Sequence, residues 1–272
     1  MPIRLSLPPT LRERLASADR PLIGLWACAG SPITAEIVAG SGCDWVLLDA
    51  EHSPNGLESV LAQLYAMSGY PVAPLVRPPY GDTVAIKQFL DLGAQNLLIP
   101  MVDSAEQAAE IVRAVRYPDG TPAGGVRGVG AALARSARWN RVEGYLGRAS
   151  ETVSLTVQIE SAAAVADVER IIAVDGVDAI FVGPSDLAAS MGLLGQQNHP
   201  EVVESVLRAI AAGVAAGKPV GVNAFVPADA ERYIEAGASF VAVGADVAIL
   251  SRQTEALVDR FTGAGSGERA SY

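Results

Sequence analysis

Lysine is nearly missing from this chain: among 272 residues there are two, Lys87 and Lys218. Lys87 falls inside a helical stretch, VAIKQFL, and Lys218 stands just before an apolar strand, so neither is placed for imine-forming chemistry at a strand exit. Cysteine is equally scarce, and Cys28 and Cys43 are spaced neither as a redox pair nor as zinc ligands. Two thiols in a core-rich chain make no disulfide framework, and a reducing cytoplasm is the expected compartment. Positive charge is short as well: 20 Lys and Arg face 30 Asp and Glu, for a net charge of −10. No basic stripe is left to follow a phosphate backbone or an anionic membrane, so neither nucleic acid nor membrane is an expected partner. Nothing approaches the roughly 18 apolar residues a membrane span needs, and residues 1–21 put charge where a signal peptide would be apolar.

What the chain does have is aliphatic residues in short bursts. Half the residues are apolar while only 18% are charged and 6% aromatic, a composition that suits a large soluble core. Eight β-rich runs recur: PLIGLW (21–26), DWVLLD (44–49), YPVAPLV (70–76), NLLIPM (96–101), SLTVQIE (154–160), AIFVG (179–183), KPVGVN (218–223) and FVAVG (240–244). Between them lie helical patterns at 32–39, 57–67, 84–92, 105–115, 162–174, 201–216 and 228–236. Ser104 and Gln107 have capping-box spacing, and Gly93, Gly176, Gly217 and Gly237 fall where helices should stop. Runs apolar on both faces suit a parallel sheet covered on both sides. Eight such units point to a single-domain (β/α)₈ barrel over 1–262, with an open doubly wound sheet as the competing architecture. The Gly- and Arg-rich segment 119–150 has no strand and is long enough to be functional, and 263–272 reads as a flexible tail.

In a parallel barrel the residues leaving the strands' C-terminal ends converge on one face, which carries the active site. Strand two leaves through Asp49, Glu51 and His52, strand three through Arg77, strand five through Gln158 and Glu160, and strand six through Asp186. Gln158 and Glu160, two apart, point the same way. Glu160 and Asp186 either cap the helices that follow them or hold a hard divalent ion with water filling the remaining positions. Arg77 either pairs with Asp49 or Asp91, or grips a substrate carboxylate or enolate oxygen through its planar fork. His52, as a histidine, is a candidate acid or base unless it is only structural, whereas His199 in NHPEVV reads as a helix cap. Glu51 receives no role. The stretch GGVRGVG (124–130) lacks the order of a P-loop or a dinucleotide fingerprint and reads as a flexible turn leading to Arg127.

Taken in order, GLW (24–26), DWVLLDAEHSPN (44–55), VRPP (76–79), IKQFLDLGAQNLLIPMV (86–102), RYPDG (116–120), RGVGAALARSARWNR (127–141), VQIE (157–160), GPSDLA (183–188) and FVAVG resemble the HpcH/HpaI family of metal-dependent, pyruvate-forming aldolases over nearly the whole chain. The resemblance implies a (β/α)₈ barrel whose last helix packs on a neighbouring subunit, within a hexamer or a trimer. It implies Glu160 and Asp186 as metal ligands, with Mg²⁺ or Mn²⁺ ahead of Co²⁺ or Zn²⁺. By the same route Gln158 contacts bound pyruvate, Arg77 polarises the keto oxygen, and His52 with Asp91 and nearby Asp49 carries acid/base chemistry. Trp26, segment 119–150 and a neighbouring subunit would meet the aldehyde end of the substrate. Two features depart from the pattern. Ala50 stands where Gly is common, and Ser185 of GPSD resembles the glucarate-type branch although ARSARWNR (134–141) resembles the heptanedioate-type branch. The implied reaction is reversible aldol cleavage of a 4-hydroxy-2-oxo acid to pyruvate, or a close 2-oxo acid such as hydroxypyruvate, and an aldehyde. A CoA-ester lyase of the citrate-lyase type is the nearest competitor, disfavoured by the shortage of lysine, and a barrel that binds oxo acids without turning them over is another.

Overall fold

The computed structural model describes residues 3–263 apart from Ala123, so nearly all of the expected tail lies outside the described residues. Eight parallel strands close into a barrel in chain order: β1 (Leu22–Ala27), β2 (Trp45–Asp49), β3 (Ala73–Arg77), β4 (Asn96–Ile99), β5 (Ser154–Ile159), β6 (Ala179–Val182), β7 (Val220–Asn223) and β8 (Phe240–Ala245). Each of the eight runs marked in the sequence overlaps one of them, with β1, β3 and β8 extending one residue further, and the open sheet is excluded because β1 pairs with β8.

Alternation along the strands divides the core in two. Trp45, Leu47, Leu75, Leu98, Phe181 and Phe240 fill the inside of the barrel, while Val46, Leu48, Val76, Leu97, Val157 and Ile180 face the helices. Trp45, Phe181 and Phe240 meet edge-on or tilted with centroids 5.7–6.2 Å apart. They fit because the neighbouring strands offer glycine: a Cβ on Gly24 would lie 2.1 Å from the Trp45 ring, and one on Gly221 would lie 2.4 Å from Phe181. Below them Leu11, from the helix Leu11–Ser17, closes the end where the strands begin, its N–H donating to Asn96 Oδ1 at 2.6 Å. Polar side chains gather above the aromatic layer.

Several local expectations are met. Gly93, Gly176, Gly217 and Gly237 all take positive φ at helix ends, and His199 caps Pro200–Ala215 by accepting from Glu201 N–H. Lys218 Nζ donates to the Val177 carbonyl, away from the strand exits. The pattern at 162–174 is two helices, Ala162–Ala166 and Val168–Ile172, broken at Asp167, whose carboxylate accepts from Ala105 N–H at 2.9 Å. The helices Leu11–Ser17, Pro184–Ser190 and Asp246–Thr262 were not marked by the sequence pattern. No helix among the described residues is long and apolar enough to cross a membrane.

Candidate active site

The period of two carries β2 and β3 into the site. Leu47 and Leu75 point into the barrel, so Asp49 and Arg77 do too, one layer higher, and the register pairs them directly. Arg77 is 1% exposed, and its Nε donates to Asp49 Oδ1 at 2.9 Å. A buried guanidinium needs such a partner. Its Cζ also lies over the ring of Trp26 of β1, 4.5 Å from the centroid. Its Nη1 lies 2.7 Å from Glu51 Oε2, off the line of a hydrogen bond, and 3.5 Å from Gln158 Oε1, while Nη2 has no partner. One donor of the fork is therefore free at the barrel mouth.

Asp49 is fully engaged. Besides Arg77 it accepts from the N–H groups of Glu51 at 3.0 Å and His52 at 3.4 Å and from the Ser53 hydroxyl at 3.1 Å. Burial opposes its charge, but the Arg77 hydrogen bond and charge prevail and hold its pKa below the ordinary 3.8. Asp49 thus folds the turn 49–53 and fixes Arg77, and it is a poor base.

On β5, Gln158 and Glu160 share the inward face. Gln158 turns its oxygen to Arg77 and its amide nitrogen to Glu160 Oε2. Glu160 Oε1 accepts from Met101 N–H at 2.6 Å. Met101 adopts left-handed φ of 56°, which aims that N–H at the site. Gln107 holds the turn from both sides: its Nε2 donates to the Met101 carbonyl at 2.8 Å and its Oε1 accepts from Asp103 N–H at 2.9 Å. The expected capping box is thereby half met, since Ser104 accepts from Gln107 N–H while the return bond goes to Asp103. Ser161, not Glu160, caps the next helix, accepting from Ala164 N–H, so the capping reading of Glu160 fails.

Asp186 and half-buried Ser185 lie in the first turn of Pro184–Ser190, directly after β6. The pivot, Gly183, has no room for a side chain: a Cβ would sit 2.9 Å from Gln158 Nε2 and 3.0 Å from Glu160 Oε2. Burial first, then the charges of Asp49 and Asp186 against the opposing pull of Arg77, push Glu51 up to about 7. Burial, with the charges of Glu51 and Asp186, pushes Glu160 up to about 7 as well, against the Met101 N–H.

Glu51 is the residue that sequence reasoning left without a role. It stands two positions beyond Asp49, the same i, i+2 relation that joined Gln158 to Glu160, and its carboxylate lies between Arg77 and His52. His52 sits on the rim with its side chain 65% exposed and its Nε2 3.8 Å from Glu51 Oε2. Asp91 is not brought to His52 within the chain. It ends the helix Thr83–Asp91, which runs away from the mouth, and it pairs there with buried Arg127 at 3.2 Å. The same geometry moves segment 119–150. It lies between a descending helix, Ala105–Val115, and the start of β5, and packs at the barrel's other end through Leu5 N–H to Arg141 O at 3.1 Å and Arg135 Nη1 to Leu92 O at 3.2 Å. It cannot line the mouth of its own barrel.

The donor set fits a hard divalent ion. Among the described residues Glu51, Glu160 and Asp186 outnumber the cation at the mouth, Arg77, which Asp49 already neutralises, and a bound cation would offset both the burial that chiefly raises Glu51 and Glu160 and the like charges that add to it. No three His, Cys, Asp or Glu residues among those described form a complete cage. Two carboxylates plus water and substrate is the arrangement Mg²⁺ favours.

The sequence model of the HpcH/HpaI aldolase/citrate lyase family matches residues 22–252. Over 244 residues the chain is 50% identical to a 4-hydroxy-2-oxo-heptane-1,7-dioate aldolase of Salmonella dublin, covering 90% of this chain and 91% of that protein. It is also 50% identical over 260 residues to a hydroxypyruvate/pyruvate aldolase of Pseudomonas aeruginosa, covering 96% and 95%. Among solved structures, an HpcH/HpaI aldolase/citrate lyase family protein from Burkholderia cenocepacia superposes with a TM-score of 0.87 at 42% identity, covering 92% of this chain and 98% of that one.

Proposed function

Because the chain belongs to the HpcH/HpaI aldolase/citrate lyase family, we propose that the cluster at its barrel mouth cleaves 4-hydroxy-2-oxo acids with Arg77, Gln158, Glu160, Asp186 and His52 in distinct roles. The chain is an aldolase, a carbon–carbon lyase that releases pyruvate. The family works with a divalent metal ion, and here Glu160 and Asp186 would hold it, Mg²⁺ or Mn²⁺ suiting their oxygen donors. Once bound, the ion supplies a Lewis acid for the substrate's carboxylate and 2-oxo oxygen.

The protein's own groups do the rest. Arg77, held by Asp49 and Trp26, offers its free Nη2 to the oxygen on which charge gathers as the C3–C4 bond breaks. Gln158 keeps Arg77 and Glu160 apart and faces the bound oxo acid. His52, on the rim beside Glu51, takes the 4-hydroxyl proton; the departing aldehyde leaves pyruvate as its enolate, which is then protonated at C3. Ser185 borders the same mouth. Asp91 has no part in this within one chain.

The observation that carries the reading is the unpartnered Nη2 of a buried, fixed arginine beside three carboxylates at the strand exits. A homo-oligomer, hexamer or trimer, is supported by the apolar residues exposed on the last helix, among them Ile249, Leu250, Leu257 and Phe261. A cytoplasmic site of action is supported by the two free cysteines. The test is a product screen in which pyruvate and hydroxypyruvate are offered with several aldehydes and Mg²⁺ or Mn²⁺, and adducts are read by mass. Metal-dependent adducts with either donor are expected, and none with any aldehyde would refute the assignment.

A further inference from the structure

The motif ARSARWNR (134–141) is not used at the mouth. It lies at the opposite end of the barrel, where it walls a cavity of about 420 Å³ lined in part by Arg14, Leu64, Tyr65, Arg135, Arg138 and Trp139. That volume is within the range of small-molecule sites.

Three cations border this cavity without an ion-pair partner of their own, Arg14 feeling only the charge of Asp44, which is already paired with Arg20. Among the described residues, no carboxylate lies within 4 Å of Arg14, Arg135 or Arg138. The last two are neighbours: a Cβ on Gly93 would lie 2.8 Å from Arg135 Nη1 and 2.9 Å from Arg138 Nη1, so both reach the same spot. Their hydrogen bonds go to carbonyls, Arg135 Nη1 to Leu92 at 3.2 Å and Arg138 Nη1 to Arg135 at 2.5 Å. The Arg135 guanidinium lies 4.6 Å over the Tyr65 ring. Arg14 spends Nη1 on the Pro71 carbonyl, and its buried Nε has no partner. The backbone at Arg138 is strained. Arg138, Trp139 and Asn140 take φ of 50°, 53° and 63° in succession, a left-handed run with no glycine in it. Burial lowers both guanidinium pKa values, and at Arg138 the neighbouring Arg135 charge lowers it further. Capping the helix Thr83–Asp91 accounts for Arg135 alone, since Leu92 is that helix's C-cap. It leaves Arg138 and Arg14 unexplained.

We infer that this cavity is a second binding site, for an organic anion whose carboxylate or phosphate head sits between Arg135 and Arg138 and whose apolar body lies along Tyr65 and Leu64. An anion there would supply the counter-charge that the fold omits, and a planar body would stack on rings already present.

The test is calorimetric titration of the full-length, Mg²⁺-supplied protein with phenyl phosphate and, separately, benzoate. At least one probe binds saturably, and the stronger of the two identifies the head. Arg138→Gln weakens that binding about tenfold or more, the loss of one charge-assisted contact. Arg138→Lys, which keeps the charge, loses less, and Arg77→Gln at the mouth changes nothing. Near-ultraviolet circular dichroism checks that each variant is folded. The inference is overturned if neither probe binds at millimolar concentration, if Arg138→Gln binds as the wild type does, or if Arg77→Gln abolishes the signal. It is also overturned if no anion binds while Arg138→Gln changes the oligomer mass by light scattering, because the arginines would then face a second copy of the chain.

Discussion

The Arg77 guanidinium lies where water scarcely reaches it, and its ion pair with Asp49 makes that burial tolerable. The division of labour among neighbouring carboxylates follows from burial and company. Asp49, against the guanidinium, is held ionised, while Glu51 and Glu160, close to each other and to Asp186, are pushed up to about 7. If Arg77 stabilises the developing oxyanion, Arg77→Ala lowers kcat by about 10²–10³ with the fold intact, measured by pyruvate release. The raised carboxylates also set a pH dependence. Between their ordinary value of 4.5 and about 7 the folded, metal-free protein holds protons that the unfolded chain has released, so stability falls as pH rises through that window. Denaturant midpoints of chelator-stripped protein should decline across it, and Glu160→Gln should flatten the decline. Saturating Mg²⁺ should reverse it, since the ion favours the ionised form. Asp49 and Arg77 were legible in the sequence because a strand exit before two prolines is a distinctive place for an arginine. Glu51 was equally legible by alternation, yet it received no role, because two acids in one short turn do not say by spacing alone which of them faces the other carboxylates.

At the scale of elements, the strands were readable because apolar runs of four to six residues bounded by Gly, Asp or Pro have few other uses. Helix direction was the harder signal. Nine residues of helix span about 13 Å, so Asp91 at the end of Thr83–Asp91 is carried to the foot of the barrel, and segment 119–150 follows Ala105–Val115 to the same end. The helix Asp246–Thr262 escaped notice because its exposed apolar residues blur the amphipathic period. One loop after a strand, 100–104, shapes the site without contributing a side chain to it: Met101 lends its N–H to Glu160, and Gln107 clamps the turn. Gln107→Ala should therefore weaken Mg²⁺ binding about tenfold, as loss of a ligand's supporting contact does. Calorimetric affinity should show the loss, and turnover should return toward wild type at high Mg²⁺. Unchanged affinity would mean that Met101 holds its strained conformation unaided.

Across the whole molecule, the layer of Trp45, Phe181 and Phe240 divides the barrel into a mouth and a foot. Gly24 is part of that wall by having no side chain. Gly24→Ala forces the Trp45 ring to move and should cost about 1–3 kcal/mol of stability by chemical denaturation, the usual penalty of overpacking. Above it Glu51, Glu160 and Asp186 gather around Arg77, and at the other end Arg135 and Arg138 stand together, so each end presents its own chemistry. The central claim, that the mouth generates the enolate of pyruvate, is tested most directly by following exchange of pyruvate's methyl protons with D₂O by NMR, with no aldehyde present. Rapid exchange by the Mg²⁺-supplied protein is expected, lost on chelation and cut at least about a hundredfold in Arg77→Ala, in line with the loss of an oxyanion donor. Exchange that persists undiminished in Arg77→Ala, or that never occurs in the wild type with metal, would contradict it.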